Sequence, residues 1–220
     1  MALHGQWSRR QAEQLVKQGL VQVNGICASV GQRVESTDQV KVANQLLDLC
    51  DQENRQILLY HKPRGFVVTR DDPHAKDTIY QHLPLGVKWL YAGRLDKMSE
   101  GLLVLTNWGP YVQYLTHPKF EQVRIYHVLL AKSLSPEQIK ALSAGLVLED
   151  GLARCDHIKP LKQGWYSLTL HTGRNRIIRR MMKAIGVGVI RLKRLSHGPF
   201  TLPKDLKVGM CRQVDDKLIS

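Results

Sequence analysis

The chain has 220 residues, 43% of them hydrophobic, and a formal net charge of +13 from 32 Lys and Arg against 19 Asp and Glu. That length holds one good-sized core plus a small accessory module, and no run of about 18 apolar residues suggests a membrane span. The positive excess favours a polyanionic partner such as nucleic acid. The first ten residues lack the long apolar core and small-residue cleavage site of a secretory signal, so no export is expected. Cys27, Cys50, Cys155 and Cys211 are far apart and form no CxxC pair, which excludes a zinc ribbon or a dense disulfide framework and leaves reduced packing residues of a cytoplasmic protein as the expectation.

Taken in chain order, Ser8 and Gln11 form a capping box, Ala12, Leu15 and Val16 an apolar stripe, and Gly19 a stop, predicting a short helix over 8–18. Val21-Gln22-Val23 runs into the tight-turn pair Asn24-Gly25, and Val40-Lys41-Val42 returns as a strand. Arg9 and Arg10 sit in the first turn of the helix, where positive charge opposes the helix dipole. Phosphate contact would explain them, although two solvated arginines are the simpler reading of these residues alone. Residues 43–54 mix Asn, Gln, Asp and Glu and read as a linker. The domain boundary is placed inside it, giving 1–48 and 49–220.

From Ile57 onward, short apolar runs are punctuated by glycine and proline: Ile57 to Tyr60, Phe66 to Val68, Trp89 to Tyr91, Leu102 to Leu105, and Val123 to Leu130. Helices are predicted over Tyr111 to Leu115 and from Ser135-Pro136-Glu137 toward Gly145. Strands and helices interleave irregularly and not as a regular βαβ repeat, so the fold class is α+β.

After a strand at Trp165 to Leu170, the charge becomes one-sided: residues 171–194 carry eight basic side chains and no acidic one, whereas residues 1–50 carry five and four. At about 100° per residue, Ile177, Ile178, Met181, Met182 and Ile185 form an apolar face and Arg176, Arg179, Arg180 and Lys183 a cationic one. An ordinary solvated helix usually intersperses both signs, so the absence of acidic neighbours favours phosphate binding. Arg191, Lys193 and Arg194 on the next strand are expected to extend that surface.

Asp96 lies in Gly93-Arg94-Leu95-Asp96-Lys97-Met98-Ser99-Glu100-Gly101, between two apolar strands and beside Arg94 and Lys97. Taken alone it reads as a salt-bridged loop residue. The segment, continued by Leu102-Leu103-Val104-Leu105-Thr106-Asn107, closely resembles the catalytic signature of the small-ribosomal-subunit-type branch of the RNA pseudouridine synthases. Three further segments resemble the same branch in order: Lys62-Pro63-Arg64-Gly65, Ile125-Tyr126-His127-Val128, and Gly173-Arg174-Asn175-Arg176-Ile177-Ile178-Arg179-Arg180. Residues 8–42, notably Ser8-Arg9-Arg10, Gly19 and Val23-Asn24-Gly25, resemble the S4-type RNA-binding module that precedes the catalytic domain in many members, with a first helix that is short or missing before Leu3 to Gly5.

The resemblance implies a cofactor-independent isomerisation in which a uridine is flipped out, its C–N glycosidic bond breaks, the uracil turns and a C–C bond forms through C5. Asp96 matches the essential aspartate, which either attacks C1′ or removes a proton from C2′. Tyr126 matches the tyrosine that stacks on the uracil and assists proton removal from C5. Arg179 matches the arginine that pairs with the aspartate and holds it charged and oriented. Arg94 corresponds to a position that fills the gap left by the flipped nucleotide, and Lys62, Arg174, Arg176 and Arg180, with Arg9 and Arg10, are RNA-contact candidates.

The resemblance of Leu59 to Pro63 and Thr69 to Pro73 is greatest to members acting on the large subunit, with small-subunit RNA as the alternative substrate. The expected partner is therefore ribosomal RNA or an assembling ribosomal particle, bound by a monomer with no obligate protein partner. The nine histidines lack ligand spacing, so no metal or other cofactor is expected. A noncatalytic ribosome-assembly factor on the same fold is the rival reading, opposed by intact Asp96, Tyr126 and Arg179. A small-molecule glycosidase is set aside because such enzymes usually need a second carboxylate.

Overall fold

The computed structural model describes residues 7–35, 37–47, 55–70 and 76–214. The chain divides into two compact units, Met1–Arg55 and Gln56–Ser220. The expected boundary between residues 48 and 49 lies outside the described residues, as does the segment Leu3 to Gly5. Among the described residues no helix is long and apolar enough to cross a membrane.

The first unit begins with helix α1 (Arg9–Lys17), whose N-cap Ser8 accepts from the Gln11 amide while Gln11 accepts from the Ser8 amide, closing the capping box. Strands β1 (Val21–Val23) and β2 (Ile26–Cys27) form a hairpin around Asn24 and Gly25, both at positive φ as a two-residue turn of this hand requires. Strand β3 (Val40–Val42) pairs antiparallel with β1 in the register Val21 to Val42 and Val23 to Val40. Those four valines face inward and form a core with Leu15 and Val16 of α1 packed against it.

The segment read as a linker is partly built structure. Ala43 and Asn44 adopt positive φ and turn the chain into strand β4 (Gln45–Leu47), which pairs with β3. Polar composition disguised a hairpin whose strand lies at the sheet edge.

In the second unit the strands are β5 (Ile57–Lys62), β6 (Leu90–Ala92), β7 (Glu100–Thr106), β8 (Arg124–Leu130), β9 (Leu146–Leu148), β10 (Gly151–Ala153), β11 (His157–Pro160), β12 (Trp165–Leu170), β13 (Val189–His197), β14 (Phe200–Thr201) and β15 (Cys211–Val214). The helices are α2 (Gly109–Thr116), α3 (Pro136–Ala144) and α4 (Ile177–Ala184). The main sheet runs β11-β12-β8-β13-β7-β5-β15, with β14 added to β13 and β6 to β7. The β13 to β7 pairing is parallel, and the other pairings in this sheet are antiparallel. This is a mixed, largely antiparallel sheet in an α+β fold.

All residues of β5 and β7 are buried, which explains their continuous apolar runs: a strand covered on both faces has no polar side to show. On one face Leu59, Leu102 and Val104 pack with Tyr111 and Leu115 of α2, and on the other Leu58, Tyr60, Leu103 and Leu105 pack with Ile79 and Trp89. Strand β8 alternates buried and half-buried positions, and its Tyr126, Val128 and Leu130 share a cluster with Met181 and Met182 of α4.

The expected strand at Phe66 to Val68 is not a strand. Val67 makes a single isolated bridge to Thr78, while Val68 is buried as filler beneath Ile79 and Trp89. Apolar runs of three residues serve a core equally well without pairing.

Gly101 marks the point where β7 meets β13. Its φ is +108°, and a Cβ there would lie 2.7 Å from the Arg194 amide nitrogen, so neither the conformation nor the space admits a side chain. Strand β13 thereby fits between β7 and β8, with Arg194 opposite Gly101 on one side and Tyr126 on the other.

Candidate active site

Asp96 sits on the loop joining β6 to β7. Leu95 is buried in the cluster that contains Ile177 and Ile178 of α4, which anchors the loop and turns its neighbours outward. Asp96 and Arg94 line a cleft of about 270 Å³, whose walls also include Tyr126, Arg174, Arg176 and Ile178.

Four consecutive carbonyls of this loop are engaged from outside it. Lys62 Nζ donates to Asp96 O at 3.3 Å and Ser99 O at 2.9 Å, Gly65 N to Lys97 O at 2.7 Å, and Arg179 Nη2 to Met98 O at 3.4 Å. The loop closes on itself through Ser99 N to Asp96 O at 2.9 Å. Catalytic groups on loops need such support to hold geometry.

Lys62 is therefore not an RNA contact. It is 0% exposed, and its third donor goes to Pro63 O at 2.9 Å. Burial pushes its ammonium down to about 8, against the opposing pull of the Asp96 and Glu100 carboxylates. At neutral pH it keeps the proton that its three acceptors use. A lysine followed by Pro-Arg-Gly looks like an exposed basic turn, and only the fold reveals that it ends a buried strand.

Arg179 and Asp96, 83 positions apart in the chain, form an ion pair with Nε to Oδ2 at 3.8 Å. Both side chains are only partly exposed, at 16% and 26%. Nη1 of Arg179 donates to Val189 O at 3.3 Å, which with the Met98 contact fixes the plane of the guanidinium. Burial lowers the Arg179 pKa, Asp96 raises it, and Arg176 and Arg64 lower it again.

Tyr126 projects from β8 into the cleft and is 6% exposed. Arg176 is exposed at the N-cap of α4, in the left-handed region with φ 48°. Arg9 and Arg10 are exposed on α1 in the first unit.

Arg174 and Arg180 have an acidic partner that their own stretch of sequence lacks. Asp150, at the turn between β9 and β10, accepts from Arg180 Nη1 at 2.8 Å and Nη2 at 2.7 Å, and from Arg174 Nη1 at 3.0 Å. Arg174 also reaches Leu152 O at 2.7 Å. The bidentate bond from Arg180 holds the Asp150 carboxyl below its usual range. These two arginines clamp a hairpin to the rim of the cleft, so the uniformly basic face read from sequence is partly neutralised in the fold.

The expected extension of that surface along β13 is corrected at Arg194, while Arg191 is exposed and Lys193 half-buried. Arg191 pairs with Glu100 at 2.6 Å, and Arg194 is 2% exposed with Nε donating to Leu102 O at 2.8 Å. Strand β13 is a central strand, so alternate side chains point into packed layers and not into solvent.

The family model described as RNA pseudouridylate synthase matches residues 56–184, more than half of the chain. The chain belongs to the RNA pseudouridylate synthase family. A second model, described as S4 domain, matches residues 2–40. The chain is 38% identical over 228 residues to a protein of Pseudomonas aeruginosa named ribosomal large subunit pseudouridine synthase B, covering 100% of this chain and 59% of that protein. It is 38% identical over 229 residues to a protein of the same name from Yersinia pestis, covering 99% and 71%.

A crystal structure titled pseudouridylate synthase aligns with a TM-score of 0.72 and 28% identity, covering 99% of this chain and 95% of that one. The RNA pseudouridylate synthase match spans Lys62 to Gly65, which supports the Asp96 loop, and the segments Gly93 to Gly101, Ile125 to Val128 and Gly173 to Arg180, which contribute to the cleft. Arg124 and Asp150 were not singled out from sequence, and Arg194 was read only as part of an exposed basic surface. Their signal is spatial: each acquires its neighbours only through strand pairing or a distant turn.

Proposed function

We propose that this member of the RNA pseudouridylate synthase family isomerises a uridine of large-subunit ribosomal RNA to pseudouridine, with Asp96 as the catalytic carboxylate. The observation that carries the reading is the partly buried Asp96–Arg179 pair beside a cleft that also takes in Tyr126. The shared name of the Pseudomonas and Yersinia relatives supports the large subunit as substrate.

In this reading the target uridine leaves its stack and enters the cleft, with the exposed Arg94 at the mouth to occupy the vacated space. Asp96 either attacks C1′ or takes the C2′ proton as the C1′–N1 bond breaks. Tyr126 stacks on the base and assists loss of the C5 proton after C5 has bonded to C1′. Arg179 keeps the carboxylate aimed. No step calls on a metal or an organic cofactor. Arg176 on the catalytic domain, and Arg9 and Arg10 on the S4 unit, supply phosphate contacts.

The test maps pseudouridine in ribosomal RNA from cells lacking the protein, by chemical derivatisation and reverse-transcription stops. One missing large-subunit site, restored by the wild type and not by Asp96→Ala, is the expected result. Full restoration by Asp96→Ala removes the catalytic assignment, and a missing site in the small subunit removes the substrate assignment.

A further inference from the structure

Two arginines in the cleft differ from the others near it. Arg124 is 5% exposed, and three of its N–H groups go to carbonyls: Nη1 donates to Gln122 O at 2.9 Å and His171 O at 3.1 Å, and Nη2 to Leu115 O at 3.0 Å. Arg194 is 2% exposed, with Nε on Leu102 O and a buried Nη2 that has no hydrogen-bond partner. Among the described residues neither forms an ion pair, whereas Arg174, Arg180 and Arg191 each hold a carboxylate. A buried cation without a counter-ion is costly to a fold. It becomes useful where negative charge arrives during function.

Strand register puts both beside Tyr126. Arg124 is two residues before it on β8 and so shares its face, and Arg194 is its direct partner across β13. Tyr126, Arg124, Arg194 and Asp96 all line the cleft. The nearby His197 adds no compensating charge: it is 0% exposed, and burial first, then Arg194 and Arg124, drive its imidazole well below the ordinary range.

We propose that Arg194, backed by the field of Arg124, binds the uracil as an anion in the interval when it is detached from the sugar. The inference rests on the isomerase reading above. When the C1′–N1 bond breaks, its electron pair leaves with the base, and the charge spreads over N1 and the two carbonyl oxygens. The sugar is balanced by a new bond from Asp96 to C1′, or by transfer of the C2′ proton to Asp96 with a C1′–C2′ double bond. Arg194 Nη2 donates to a uracil carbonyl oxygen while C5 turns toward C1′. The anion's electron pair then forms the C5–C1′ bond and reverses whichever step Asp96 made. Loss of the C5 proton and protonation of N1 complete the exchange.

The experiment compares single-turnover rates on a large-subunit RNA fragment carrying the mapped target uridine and on the same fragment with 5-fluorouridine there. Fluorine stabilises the departing anion intrinsically, so help from the protein matters less. Rates are read from disappearance of the intact nucleoside in nuclease digests. Arg194→Met is expected to slow uridine conversion by about 10²-fold to 10³-fold, as loss of a donor to a developing anion does. Its RNA affinity is expected to stay within about threefold of wild type. With 5-fluorouridine the loss is expected to be at least about tenfold smaller.

Arg194→Lys, which keeps a cation in the sheet, is expected to lose less on uridine and to show the same sparing with 5-fluorouridine. It decides the matter if circular dichroism shows that the methionine variant does not fold. Equal losses on both substrates overturn the proposal. A wild type inert on uridine would instead overturn the isomerase reading, so the two failures are distinct.

Discussion

The Nζ of Lys62 lies 3.3 Å from the main-chain oxygen of Asp96, tying the last residue of β5 to the loop that carries the carboxylate. A cation held by three carbonyls in the interior serves here as a bracket for backbone.

That bracket gives stability a pH dependence. The folded-state pKa of Lys62 is about 8, below its ordinary 10.5. Between those values the unfolded chain holds more of the proton, so the contribution of this site to stability rises with pH across the window. Below about 8 both states are charged, and the cost of burial is present in full. Urea denaturation of wild type and Lys62→Met should show the wild type gaining on the variant from pH 8 toward 10.5, by on the order of 3 kcal/mol. A difference that stays flat or shrinks would show that the ammonium is not the titrating group.

Arg179→Lys should separate orientation from binding. Lysine keeps the charge but cannot reach the Asp96 carboxylate, Met98 O and Val189 O in one plane as the forked guanidinium does. Steady-state kinetics should give a kcat lower by about 10²-fold with KM within about threefold. A rise in KM with unchanged kcat would make Arg179 a substrate contact instead.

Arg176 and Arg180 should respond differently to salt. Arg176 is exposed, whereas Arg180 is engaged by both oxygens of Asp150. Arg176→Ala should weaken RNA binding and reduce the slope of log affinity against log salt by roughly 0.7 to 0.9, the release for one phosphate contact. Arg180→Ala should leave that slope unchanged. Filter binding at four salt concentrations distinguishes them, and equal slope changes would refute the role assigned to Asp150.

Gly101→Ala should be among the least tolerated single changes in the catalytic unit. The added methyl meets the backbone of Arg194, which cannot move without separating β7 from β13. A loss above about 4 kcal/mol, seen as insoluble expression or a melting transition lowered by tens of degrees, follows from overpacking combined with a forbidden conformation. A near-normal melt would mean that the strand contact is more pliable than the geometry indicates.

Local signals carried well from sequence to structure, and distant pairing did not. Ser8 and Gln11, Ser135 before α3, and the Asn24-Gly25 turn declare themselves within four residues, and each appears as read. The apolar stripe of α4 likewise places Ile177, Ile178, Met181 and Met182 inside. Lys62 was misread because burial of a lysine depends on what covers its strand. The carboxylate partner of Arg174 and Arg180 was not legible because Asp150 is 24 and 30 residues away, beyond any window in which charge pattern is judged. The depth of Arg194 follows from β13 being central, and sheet order is not written in the run Arg191-Leu192-Lys193-Arg194.

The order of the strands in the chain has a consequence for folding, because β13 follows both of the strands it joins. Without residues 189–197, one edge of β8 keeps its amide and carbonyl groups unpaired, and β7 lacks its partner at Glu100 and Gly101, its other pairings being to β5 and β6. Such edges are templates for wrong partners. A chain ending before Val189 would lack the strand that joins β7 to β8 and that carries Arg194. Joining of the two parts of the sheet therefore waits on a segment that follows both of them in the chain, and protection of the open edge of β8 until then favours the native partner over a wrong one.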